Sequence, residues 1–68
     1  MRNISILLSR EQIERCVLAL KDGAVAFEVL RDECRAHGLQ ITAQGWSEKA
    51  ERYRGTAAVL IAELDHAA

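Results

Sequence analysis

Cys34 and His37 stand three residues apart, a spacing that brings a thiolate and an imidazole to one helix face. Two copies of such a pair would furnish a Cys₂His₂ zinc site. The chain holds no second pair, and Cys34 falls on an apolar line where a core thiol is expected, so no metal ligand is assigned. A Cys34 nucleophile with His37 as its base fares no better. Adjacent turns of one helix offer neither a glycine-rich turn nor a helix N-terminus to lower the thiol pKa or hold an oxyanion. His66 reads as a solvated residue near the end of the chain. Lys49, Arg52 and Arg54 form a basic group, but Glu48 and Glu51 interrupt it, whereas a phosphate site needs its bases unopposed. Trp46 and Tyr53 offer stacking surfaces, yet their spacing is that of core packing. The acids alternate with bases at helical neighbour distances, as in Glu11 with Arg15 and Glu48 with Arg52, which describes a solvated face. No phosphate loop, dinucleotide fingerprint or catalytic motif is present. The expectation is a protein without catalysis, cofactor or metal.

The elements that carry these residues are helical. Ile13, Cys16, Leu20, Gly23, Phe27, Leu30, Cys34 and His37 recur at alternating steps of three and four, one face of a helix over residues 9–37. Ser9 with Gln12 matches a capping box and starts that helix at Arg10. Gly38 can take the left-handed conformation that closes it, with Leu39 falling back against Cys34. Asp22-Gly23 is also a turn signal, but the periodicity runs through it in register, which favours one unbroken helix. A loop over residues 38–42 follows. Thr42 is the expected cap of a second helix over residues 43–66, with Ile41 and Trp46 as a hydrophobic staple and Ser47 as the competing cap. That helix repeats the pattern through Trp46, Ala50, Tyr53, Ala57, Leu60 and Leu64.

A short loop between helices of similar length makes them antiparallel. Folding about Gln40 pairs Cys34 with Trp46, Leu30 with Ala50, Phe27 with Tyr53, Gly23 with Ala57, Leu20 with Leu60 and Cys16 with Leu64. The same fold sets Glu28, Asp32 and Glu33 near Lys49 and Arg52, and Arg10 and Arg15 near Glu63 and Asp65. The predicted architecture is all-α: a single helical domain over residues 1–68 built as an antiparallel hairpin. Residues 1–8, in which Ile4, Ile6 and Leu8 alternate with Asn3, Ser5 and Leu7, form an extended arm or short strand.

Size bears on function. A 68-residue chain with one Phe, one Tyr and one Trp builds its core from small aliphatic residues, and chains this short usually need a disulfide, a metal or a partner. A continuous helix places Cys16 and Cys34 about 27 Å apart, beyond disulfide reach. Leu18, Val25 and Val29, with Asp22 among them, form a second apolar stripe opposite the hairpin seam. A hairpin cannot cover both faces of one helix. The expected cover is a second copy, the stripe together with Ile6 and Leu7 forming the interface of a homodimeric four-helix bundle, or another protein docked on this surface. The function expected is an adaptor, inhibitor or regulator acting through protein contact. A net charge of −1 lacks the footprint of a nucleic-acid or membrane binder, and the apolar run 4–8 is too short for a signal peptide, so a cytoplasmic location is expected.

Residues 3–16, Asn-Ile-Ser-Ile-Leu-Leu-Ser-Arg-Glu-Gln-Ile-Glu-Arg-Cys, resemble the start of ribbon-helix-helix repressors: a short alternating strand, a cap, then an amphipathic helix. The resemblance implies paired strands of a dimer in the DNA major groove, with Asn3, Ser5 and Leu7, or Arg2 in their place, facing DNA. The chain departs from that pattern in a strand without bases and in a first helix that is too long unless it breaks at Asp22-Gly23. DNA binding is therefore the alternative expectation.

Overall fold

The computed structural model describes residues 8–66, which form two antiparallel helices, α1 (Arg10–Ala36) and α2 (Gln40–His66). The two are packed against each other along their length. Ser9 caps α1 as the sequence predicts: its hydroxyl accepts from the Gln12 N–H at 3.1 Å, and its own N–H donates to Gln12 Oε1 at 2.9 Å. Two amides left open by the helix start are thereby satisfied, an arrangement that contributes about 1 kcal/mol. The helix passes through Asp22-Gly23 without a break. Its C-terminus closes on Gly38, at φ +73°, with the Leu39 N–H donating to the Cys34 carbonyl at 2.8 Å and the Gly38 N–H to the Arg35 carbonyl at 3.1 Å. Those two bonds define a Schellman closure.

The turn is shorter than expected. The Ala43 N–H already donates to the Leu39 carbonyl at 2.9 Å, so α2 begins at Gln40 and the connection is only His37, Gly38 and Leu39. Thr42 is therefore not the cap but a residue within the first turn, and Ile41, 91% exposed, staples nothing. The left-handed Gly38 reverses the chain so sharply that no further loop residues are required.

The seam also differs in detail. Ile13, Leu20, Phe27 and Cys34, each seven residues after the last, lie half-buried on the α2 side as expected. Between them the buried positions are Val17 and Ala24, while Cys16 is exposed and Leu30 lies at the border of exposure. A step of four then three replaces three then four. The physical reason lies on α2, where Ala43, Ala50 and Ala57 are buried at seven-residue intervals. A column of small side chains lets the backbones approach closely, and Ala24 is fully buried in that contact. Among the described residues Val17 and these four alanines are the buried apolar ones, and no large side chain is fully enclosed.

The aromatic residues gather on one edge of the seam. Phe27 meets Tyr53 edge to face, with centroids 4.8 Å apart at 80°, and stacks on Trp46 at 5.5 Å and 19°. The Phe27 and Tyr53 pairing was expected; Trp46, expected opposite Cys34, stacks on Phe27, since the shorter turn shifts the register. Gly23 lies beneath Tyr53: a Cβ there would fall 2.9 Å from ring carbons Cδ2 and Cε2. The ion pairs shift as well. Glu28 bridges the helices to Arg54 rather than to Lys49 or Arg52, and Arg10 and Arg15 pair within α1 with Glu14 and Glu11 at 3.3 and 2.6 Å. Lys49 instead lies over the Trp46 ring, 4.8 Å from its centroid.

Candidate interaction surface

With the seam assigned, the positions on α1 farthest from α2 are Leu18, Asp22, Val25 and Val29. Helical geometry dictates this, since each lies about 155° from the line through Ile13, Leu20, Phe27 and Cys34 at 100° per residue. Leu18 is 63% exposed, Val25 52% and Val29 53%. These three side chains and the Asp22 carboxylate make one line, about 17 Å long, on a regular helix held rigid by packing on its other side. Ile6 and Leu7, expected to join this surface, lie outside the described residues.

Charged residues frame the line. Arg15 and Glu11 precede it, and Asp32 and Glu33 follow it. Arg31 reaches Asp32 Oδ1 at 2.9 Å and Glu28 Oε2 at 4.0 Å. The hydrogen bond from Arg31, reinforced by the charges of Arg31 and Arg35, holds the Asp32 carboxyl below its ordinary 3.8, while the same bond raises the Arg31 guanidinium. This end of the line therefore presents acids and bases side by side, Asp32 and Glu28 held by Arg31.

A second exposed apolar group, not foreseen, sits at the turn. A shallow, open hollow of about 420 Å³ is lined by Gly38, Leu39, Gln40, Ile41 and Thr42. Leu39 is 51% and Ile41 91% exposed because the tight turn leaves no chain to lie over them. A smaller hollow of about 230 Å³ lies beside it between Thr42, Gly45, Trp46 and Lys49. The available signal was Gly38 itself: a Schellman closure followed at once by a helix strands the next two apolar side chains outside the seam.

The residues weighed for chemistry are dispersed. Cys34 is half-buried, and His37 is exposed at the C-cap of α1. Among the described residues no group of three or more His, Cys, Asp or Glu converges as metal ligands, and both cysteines are free thiols. Among the described residues no helix is long and apolar enough to cross a membrane. What the arrangement offers physically is contact area: a rigid helix face with three apolar residues, one central acid and charged ends. No family model, curated protein or solved structure matches the chain.

Proposed function

We propose that the protein is a non-catalytic protein-interaction module, an adaptor, inhibitor or regulator, that self-associates and uses the outer face of α1 as its contact surface. The observation that carries this reading is the line Leu18, Val25 and Val29, more than half exposed on a helix whose opposite face buries nothing larger than a valine. A hairpin with so thin a core gains most from covering that line.

Burying the exposed remainder of these three side chains is worth about 1 kcal/mol each, or roughly 6 kcal/mol across a twofold contact. Exposed charge pairs add about 0.2–1 kcal/mol each. Against an association cost of at least about 4 kcal/mol, about 3–6 kcal/mol remains, a weak contact with Kd between about 40 μM and 6 mM. Such a contact suits a regulator that must exchange partners.

Val25→Glu tests the reading. It places a charge in the middle of the line but 52% exposed and away from α2, so the hairpin's helicity is retained. Sedimentation up to millimolar concentration is expected to show a dimer for the native chain and a monomer for the variant. Equal masses for the two chains, together with equal capture of proteins from the native host, would remove the outer face as an interface.

A further inference from the structure

We infer that the occupant of the α1 outer line is the same line of a second copy, running antiparallel, with Leu18 set against Val29 of the partner subunit. This rests on the reading of that face as a self-association interface and adds to it the alignment of the two copies.

Charge selects the alignment. Arg15, Leu18, Asp22, Val25, Val29 and Asp32 follow one another at alternating steps of three and four, the spacing of a helix-helix seam. Two such lines packed antiparallel interlock only in registers seven residues apart. In the register proposed, Leu18 faces the partner's Val29, Asp22 faces the partner's Val25, and Arg15 faces the partner's Asp32. A slip of seven one way sets Asp22 against the partner's Asp32, two like charges. A slip the other way sets Leu18 against the partner's Asp22 and Val25 against the partner's Arg15, so that no apolar pair survives. Parallel packing fails for a similar reason, because it stacks Asp22 on Asp22 of the partner subunit.

The edges of the contact agree. In antiparallel pairs the residues flanking the seam meet their own kind of position on the other helix. Lys21 comes beside the partner's Glu28, and Glu14 beside the partner's Arg35. On the other edge Ala19 meets the partner's Ala26, which allows close approach. Among the described residues Lys21 and Arg35 make no ion pair within the hairpin; the acids they meet, Glu28 and Glu14, already pair with Arg54 and Arg10 and would be shared with the second copy. Twofold symmetry repeats every pair. Asp22, near the axis against the partner's Val25, weakens the contact while barring the like-charge registers.

The assembly this builds is a row. The outer line lies opposite the hairpin seam, so four helices stand side by side in the order α2, α1, α1, α2. A closed four-helix bundle, by contrast, would need the two covered faces of α1 to lie at about a right angle. The row leaves the turn hollow of each copy accessible at opposite ends.

Cross-linking tests the register. In a Cys16→Ser, Cys34→Ala background, chains carrying Leu18→Cys and Val29→Cys are mixed in equal amounts and oxidised in a glutathione buffer at millimolar protein. The mixed disulfide is expected to exceed either self-linked product several-fold, well above the twofold of random pairing. Arg35→Glu is expected to weaken self-association about two- to thirtyfold, since two exposed pairs are lost, and Glu14→Arg added to it is expected to restore it. A dimer whose Leu18→Cys chains link chiefly to one another would overturn the register while sparing the outer face as an interface. A chain that stays monomeric at millimolar concentration would overturn the self-association itself.

Discussion

Gly23→Ala sets two effects of known sign against each other. In an exposed helix interior, alanine is favoured over glycine by about 1 kcal/mol, so the substitution would ordinarily stabilise α1. Here the added Cβ falls 2.9 Å from Cδ2 and Cε2 of Tyr53, inside any normal contact distance. Those two carbons belong to one rigid ring, so neither can yield without moving the whole ring. The ring can retreat only by giving up its edge-to-face contact with Phe27 at 4.8 Å, an arrangement worth about 0.5–1.5 kcal/mol beyond its burial. Overpacking of this kind costs about 1–3 kcal/mol. The expected net effect in the native chain is a loss of about 0–2 kcal/mol. In a Tyr53→Ala background the obstruction is gone, and the same Gly23→Ala is expected to stabilise by about 1 kcal/mol. The sign reversal, a coupling of about 1–3 kcal/mol between residues 23 and 53, is the diagnostic quantity. Urea unfolding followed by far-UV circular dichroism, at one fixed protein concentration, measures it. Gly23→Ala stabilising both backgrounds equally would refute the close approach of α1 to Tyr53.

Phe27 touches both other aromatic rings, and Phe27→Ala is expected to cost about 3 kcal/mol, most of the stability of so small a hairpin, seen as loss of the cooperative thermal transition. Asp32 has a folded pKa below its ordinary 3.8 because Arg31 donates to its carboxylate; its contribution is thus complete above that ordinary value and disappears as pH falls through the lowered one. A carbon-detected NMR titration of the Asp32 carboxyl should show a midpoint below 3.8, returning toward it in Arg31→Gln. No displacement between the two titrations would mean that the Arg31 bond does not persist in solution.

The hairpin was legible because its punctuation is local. Ser9 with Gln12, and Gly38 at the other end, each act through a few backbone bonds that the residue types dictate, so both ends of α1 follow from the sequence. The four positions seven apart, Ile13, Leu20, Phe27 and Cys34, were equally plain. The intervening positions were not. Cys16 against Val17, Gly23 against Ala24, and Leu30 against Arg31 are choices between neighbours about 100° apart on a helix. Only the partner helix decides between them. The start of α2 escaped detection for another reason: Thr42 is a fine cap by residue type, but the Leu39 carbonyl, which any residue could supply, had already taken the Ala43 amide. The outer line of Leu18, Asp22, Val25 and Val29 was legible because it required only that α1 be continuous. The turn hollow depended on the length of the connection, which residue types left open.

The alanine column carries a geometric consequence for the surface on the far side of the molecule. Side chains that recur every seven residues drift by about 20° per heptad on a straight helix, so over the four heptads of α1 and α2 the seam would wander by about 80°. Keeping Ala43, Ala50 and Ala57 in contact with one line on α1 requires the two helices to wind about each other in a left-handed sense. Leu18 and Val25 are also seven apart, and Asp32 is seven beyond Val25. The same winding that keeps the inner contact continuous therefore straightens the outer line, turning what would be a spiral of scattered apolar residues into a ridge that another helix can follow from end to end.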